Sequence, residues 1–357
     1  MAFQPIYQKN RIMEMIETDD HVYIDIDIPF DPSSETTDLS SNAFYRTTKT
    51  EPILKNPSMY HLVVDRFTLP GFDLPSYIFD PNDPGTVKLE YNGEIQEVEL
   101  IWNPISTISP SLDEYYFAYD YQNWLDMLNT ALTTAFNALT TKPAGALIPP
   151  YVVWDTDAQK FIVYAEKAYF DDALALPILI SVDSAIGKYL RFLPYISFDK
   201  AVAPAKDFFQ LVIKDYKNNT ETINSVDYLF LKQQSVGIGS AWNPVKSIIF
   251  TSSTIPVKNT FTQLNESASE TSNANSLGIL IDFKLDISNN PLGNRKTLLY
   301  VPQQNYRRLD LYGQTPLKQI DVKVFWADNK GKLYPVRINA AESANIKLLF
   351  IRKDKSL

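Results

Sequence analysis

The stretch from Thr297 to Lys353 constrains the fold of this chain more than any other. Within it Ile320, Val322, Val324 and Trp326 alternate with Asp321, Lys323 and Phe325. The turn ADNKGK follows, and Leu333, Val336 and Ile338 run back. Period-2 patterning on both sides of an Asn/Gly turn predicts a β-hairpin. The last predicted strand, Ile346 to Ile351, is apolar almost throughout, so it is expected to be covered on both faces. Because the best-defined strands come last, the core cannot close until nearly the whole chain is present. That implies β pairing between segments distant in sequence.

Earlier segments read the same way. In HVYIDIDIPF (His21 to Phe30), Tyr23, Asp25 and Asp27 share one face and Val22, Ile24, Ile26 and Ile28 the other, the pattern of a half-buried strand. Tyr60 to Leu69 is a further strand, closed by Pro70-Gly71. Val87 to Tyr91 and Gln96 to Trp102 form a predicted hairpin across Asn92-Gly93. One helix stands out, Tyr121 to Thr140. Its apolar residues Trp124, Met127, Leu128, Ala131, Leu132, Ala135, Phe136 and Leu139 fall at 3- and 4-residue spacing, with Asp120 as N-cap. Strands are expected at Tyr151 to Trp154 and Lys160 to Tyr164, around a DTDAQ turn. The pattern loosens near 200–206, where a domain boundary is placed. Strands are then predicted at Phe208 to Ile213, Val226 to Leu231, Val245 to Ser252 and Leu277 to Leu285. The polar run 262–276 between the last two is read as an exposed loop. The expected organisation is an extended arm at 1–20, a first β-domain at 21–203 and a second at 204–357.

Composition narrows the function. Tyr (21) and Phe (20) are abundant, which favours strands, and only 11 Gly are present, which disfavours a glycine-rich phosphate cradle. There is no Cys, so disulfides and thiolate metal sites are excluded. The N-terminus MAFQPIYQKN has no apolar h-region, so no signal peptide is expected. A net charge of −9 argues against a general nucleic-acid binder, and no direct sequence-specific nucleic-acid binding is expected. That charge is uneven: 13 Lys/Arg against 5 Asp/Glu from Arg295 to the end give +8, so the first 294 residues carry −17.

No catalytic signature emerges. The two histidines, His21 and His61, each open a strand pattern. Asp25 and Asp27 form D-x-D on one strand face, an arrangement suited to a divalent ion or to a glycosidase pair, and equally the ordinary wet face of a strand. Gly237 to Ser240 (GIGS) lacks the following helix that a dinucleotide site requires. No catalytic residue, metal or cofactor is therefore assigned. The residues chosen for contacts with other chains are Tyr306, Arg307, Arg308, Arg352 and Lys353, because aromatic and arginine side chains carry interface energy.

Three segments, NPSMYHLVVDRFTLPG at 56–71, WNPVKSIIFTSSTIP at 242–256 and the run from YRRLDLYGQTP at 306 to IKLLFIRK at 346–353, give the chain a resemblance. It resembles viral jelly-roll capsid proteins over about two-thirds of its length, either the double jelly-roll major capsid protein or the related penton of icosahedral DNA viruses. The resemblance implies an all-β fold of tandem (double) jelly-roll sandwiches with one inserted amphipathic helix at about 121–140. It further implies a structural virion protein, not an enzyme, that assembles in the host cell into homotrimeric capsomers. These would contact neighbouring capsomers and other capsid proteins such as a penton, in a shell with or without an inner membrane. Two other readings remain beside it. One is a carbohydrate-binding or carbohydrate-cleaving β-sandwich, which would need Trp102, Trp242 or Trp326 exposed beside carboxylates. The other is a penton or spike attachment protein.

Overall fold

A computed structural model describes residues 20–31, 40–70, 74–103, 116–118, 121–197, 207–216, 218–235, 242, 244–258, 278–284, 297–300, 307–339 and 342–355. The arm up to residue 19, Asp120, the GIGS segment, the loop 262–276 and Tyr306 lie outside them. The chain divides into two compact units. One comprises Met1–Leu74, Val245–Asp286 and Asn294–Leu357, the other Pro75–Pro244 and Ile287–Gly293.

The first unit has eight principal strands. In chain order they are His21–Pro29, Phe44–Thr48, Tyr60–Pro70, Ser247–Ser252, Gly278–Lys284, Thr297–Tyr300, Gln319–Ala327 and Ser343–Arg352. One antiparallel sheet runs first, eighth, third, sixth. The other runs second, seventh, fourth, fifth. This nested order is the jelly roll. It arises because the apolar eighth strand pairs on both edges, with His21–Pro29 on one side and Tyr60–Pro70 on the other. Ile26 and Ile28 point inward with Leu62, Phe67, Phe250, Ile320, Val322, Ile346 and Phe350, while Tyr23, Asp25 and Asp27 face out, as the alternation predicts. The Phe67 ring, on the third strand, lies 4.7 Å from Phe250 and 5.5 Å from Phe283 on the opposite sheet. Each such fully buried side chain contributes about 1.5–3 kcal/mol of hydrophobic free energy. The C-terminal hairpin forms as read: Gln319–Ala327 pairs with Leu333–Pro335, and Asp328 closes the turn by accepting from the Lys330 and Lys332 amides at 2.8 Å each.

One residue in that hairpin breaks the simple alternation. Asp321 is only 2 % exposed. Its carboxylate accepts from Ser252 Oγ (2.8 Å), the Ser253 amide (2.8 Å), the Thr254 amide (2.9 Å) and Thr254 Oγ1 (2.8 Å), and also from Ser253 Oγ. The Asp321 amide in turn donates to Thr254 Oγ1 at 2.9 Å. The SST turn after the fourth strand is thus latched to the seventh.

Among the described residues the second unit holds two larger antiparallel sheets, besides the short pairing of Tyr77–Ile78 with Phe117–Ala118. One runs Thr220–Ile223, Val226–Lys232, Lys160–Glu166, Tyr151–Asp155; the other runs Tyr195–Ser197, Phe208–Leu211, Leu179–Asp183, Thr86–Tyr91, Glu94–Glu99. The predicted helix is α1 (Tyr121–Ala138), and its apolar stripe from Trp124 to Phe136 is buried in this unit's core. The hairpin turn between Thr86–Tyr91 and Glu94–Glu99 has Asn92 and Gly93 both at positive φ (50° and 78°), the geometry that selects Asn-Gly. Asp155 caps the DTDAQ turn by accepting from the Asp157 and Ala158 amides.

Glu94 anchors the end of α1. Its carboxylate accepts from the Thr140 and Thr141 amides (2.9 and 2.7 Å) and from both hydroxyls. The Thr141 hydroxyl bond, followed by the Thr140 and Thr141 amide bonds, lowers its pKa to about 2. A depressed pKa means the stabilisation is full above the unfolded carboxyl's value and is lost as pH falls towards 2. Glu94→Gln is therefore expected to lower the melting temperature of this unit at pH 7 and to converge with the wild type as pH approaches 2, a difference that thermal melts across that range would read. Parallel melting curves for the two proteins at every pH would remove this role.

The division of the chain differs from the expected tandem domains split at 203/204. Val226–Lys232, assigned from the sequence to the second domain, pairs with Lys160–Glu166, and Phe208–Leu211 pairs with Leu179–Asp183. Conversely, His21–Pro29 and Tyr60–Pro70 pair with Ser343–Arg352. Among the described residues the jelly-roll strand order occurs once, and the second unit, a sandwich with a helix, is inserted in the chain between the third and fourth strands of that roll. The segment at 200–206, where the sequence pattern places the boundary, lies outside the described residues.

Candidate assembly interface

Asp25, Asp27 and His61 make contacts within the first unit. Asp25 and Asp27 project from the outer face of the first strand, where Asn345 Nδ2 donates to both (2.9 and 2.7 Å), and Arg66 approaches Asp25 at 3.4 Å. Among the described residues no group of three or more His, Asp or Glu is placed to hold a metal ion. His61 Nδ1 lies 3.1 Å from Asp310, its cross-strand neighbour. Trp242 and Trp326 are 2 % and 1 % exposed, so neither offers a face to a sugar; Trp102 is half-buried against Phe79 and Tyr116.

The basic C-terminal segment is partly neutralised within the first unit. Exposed Arg307 pairs with Asp282 of the fifth strand. Lys353 Nζ lies 3.3 Å from Asp310, Arg352 Nε 2.9 Å from Asp354, and Lys347 3.9 Å from Asp65. Arg307 and Arg308 are exposed, while Arg352 and Lys353 are half-buried at the end of the eighth strand. Exposed pairs of this kind contribute about 0–1 kcal/mol each. They fix where charge sits more than they stabilise the fold.

Sequence reasoning missed the apolar part of this surface. Tyr23 (57 % exposed) lies on the outer face of the first strand under Lys347, whose Nζ is 4.9 Å from the ring. Phe44 (42 % exposed) carries Lys323 at 5.6 Å. Leu299 lies on Thr297–Tyr300, an edge strand, and is 63 % exposed. An aromatic ring under a cation, beside strand edges that need covering, is chemistry suited to protein contacts. The one available signal was Tyr23, a large ring on an otherwise wet face; Phe44 fell outside every predicted strand.

The strand order of the first unit is that of the jelly roll, the fold from which many viral capsid proteins are built. The chain is a member of the Sputnik minor capsid protein V18/19 family, whose sequence profile matches residues 22–352. It is 27 % identical over 208 residues to structural protein V19 of Sputnik virophage, covering 57 % of this chain and 94 % of V19. It is 34 % identical over 154 residues to the uncharacterized protein V18 of the same virophage, covering 36 % of this chain and 90 % of V18. A chain in the cryo-EM structure of the Sputnik virophage superimposes with a TM-score of 0.77 at 27 % identity, over 94 % of this chain and 99 % of that one. The crystal structure of the mavirus penton protein has the same fold, with a TM-score of 0.64 at 15 % identity over 93 % of this chain and 99 % of that one. The chain is thus a jelly-roll capsid protein and a structural component of the virion.

Proposed function

We propose that this chain is a minor capsid subunit that closes the fivefold positions of an icosahedral shell as a pentamer, and that it acts through its surfaces without catalysis. The single observation that carries this reading is the strand order, 1-8-3-6 over 2-7-4-5, which occurs once among the described residues. A trimer that imitates a six-sided capsomer needs two equivalent rolls per chain; five copies of a one-roll chain suit a fivefold position. The family's description as minor capsid proteins and the fold shared with a penton protein support the same choice. The partners are then further copies of the chain and the neighbouring capsomers. Contacts between subunits are assigned to Tyr306, Arg307, Arg308, Arg352 and Lys353, together with Tyr23, Phe44 and Leu299.

Light scattering on a sizing column tests the reading. A species of five times the 40.7 kDa chain mass supports it, and one of three times that mass returns the protein to the trimeric capsomer class. Arg307→Ala and Lys353→Ala are expected to change the stability of the isolated chain by less than about 1 kcal/mol, since both pairs are exposed or nearly so. Their effect on the assembled mass would therefore report an interface and not misfolding. Assembly at wild-type concentration dependence in both variants would remove these two residues from it.

A further inference from the structure

The inserted unit carries a surface that its core does not explain. In the sheet from Thr220–Ile223 to Tyr151–Asp155, the core face is Val152, Phe161, Val163, Ala165, Leu229 and Leu231. The opposite face is built in cross-strand rows. One row is Glu166, Tyr228 and Glu221, in register across three strands. The next is Tyr151, Tyr164 and Phe230. The third is Val153, Ile162 and Lys232. Outer faces of antiparallel sheets are normally polar; this one places four aromatic rings side by side. Tyr151 and Tyr164 stack at 5.2 Å, Tyr228 meets Tyr151 edge-on at 5.9 Å, and Phe230 lies 6.1 Å from Tyr164. Tyr151, Tyr164 and Phe230 are half-buried and so keep part of their surface in solvent, while Tyr228 is buried and supports Tyr151 edge-on.

The polar groups around the rings are of one kind. Tyr164 Oη donates to Glu221 at 3.1 Å, which leaves the carboxylate and the phenol oxygen as acceptors. Among the described residues neither Glu166 nor Glu221 has a cationic partner, whereas at the far end of the face Lys232 and Asp155 neutralise each other at 2.6 Å. Burial raises the pKa of Glu166, as for a carboxylate lacking a compensating charge. The unit as a whole is acidic: residues 75–244 and 287–293 hold 11 Lys/Arg and 21 Asp/Glu, a balance of −10, against 22 and 21 for the remainder. Acceptors beside aromatic rings, under a negative field, suit a ligand made of N–H donors.

We propose that this face docks a cationic protein segment, seating a lysine or arginine side chain against Tyr151 and Tyr164 between Glu166 and Glu221. The geometry does not depend on whether the roll assembles as a pentamer or a trimer.

The test uses the full chain and fluorescein-labelled octa-arginine, with a neutral Gly/Ser octapeptide as control and a glycan array alongside. Octa-arginine is expected to bind with an affinity that falls as salt rises. Glu166→Gln/Glu221→Gln is expected to weaken binding at least tenfold, and Tyr164→Leu likewise. Glu97→Gln/Asp207→Asn removes the same charge from the unit's other sheet and is expected to change binding less than twofold. Circular dichroism checks folding; should Tyr164→Leu fail to fold, the isosteric double variant at Glu166 and Glu221 still decides. Absence of peptide binding, equal weakening by both double variants, or binding of a glycan in place of the peptide would each overturn the proposal.

Discussion

Asp321→Ala is expected to destabilise the jelly-roll unit by about 3 kcal/mol or more, because removing the acceptor strands the Ser253 and Thr254 amides and three hydroxyls in a site that is 2 % exposed. For a unit of this size that is a fall of roughly 10 °C in melting temperature. Asp321→Asn keeps one oxygen but turns an NH2 group towards the same donors, so an intermediate loss is expected. The pH dependence separates the latch from simple packing. Burial pushes the Asp321 carboxyl up, but the hydrogen bonds from Ser253, Ser252 and Thr254 together outweigh it and hold the pKa below the ordinary value. A group depressed in the folded state contributes stability that is present above its unfolded pKa, about 3.9, and is lost as pH falls through the lower folded value. Calorimetry from pH 7 downwards should therefore show the wild type losing stability in acid and Asp321→Asn losing less of it. A melting temperature for Asp321→Ala within 2 °C of wild type would show that the turn holds without its carboxylate.

The same residue shows why part of the fold was legible and part was not. Alternation identified the seventh strand and its inward residues Ile320, Val322, Val324 and Trp326 correctly, since a period of 2 follows from the pleat alone. Asp321 sat on the face expected to be wet; what buries it is a Ser-Ser-Thr turn 67 to 69 residues away, which no local pattern contains. Helix α1 was legible for the local reason, its stripe repeating at helical spacing. The partition into units was not, because strand pairing in a roll is set by which edges meet. The first strand could be read from HVYIDIDIPF, but its partner is the last strand of the chain.

The surfaces divide in the same way. Choosing Arg307, Arg352 and Lys353 by residue type found charges that the structure pairs with Asp282, Asp354 and Asp310. The aromatic rows of the inserted unit were invisible in sequence, because Tyr151, Tyr164, Tyr228 and Phe230 come from three strands and meet only through register. Those strands were read singly, with neither face of any of them assigned. The wealth of tyrosine was noted, but composition does not say on which face the rings collect.

Trp242→Ala is expected to cost the inserted unit about 3–5 kcal/mol, the range for emptying a buried tryptophan site. Trp242 is 2 % exposed, and its ring lies 4.6 Å from Tyr189, 4.8 Å from Tyr121, 5.1 Å from Trp124 and 5.3 Å from Phe161. It therefore joins α1, the sheet strand Lys160–Glu166 and the segment after Leu179–Asp183. It also touches Tyr77 at 6.2 Å. Tyr77 stands just inside the start of the unit at Pro75 and Trp242 just inside its end at Pro244. The two rings bring residues near the two ends of the insertion together within the unit. Trp242→Phe keeps a ring in the site and is expected to recover most of the loss. Limited proteolysis with mass spectrometry reads the outcome by location. In Trp242→Ala, cleavage should appear first between residues 75 and 244, while the strands on either side, Tyr60–Pro70 and Ser247–Ser252, stay protected by pairing that does not involve the insertion. Cleavage that begins in those two strands would mean that the insertion's closure and the roll's stability are one property, and Trp242 would then count as part of the core of both.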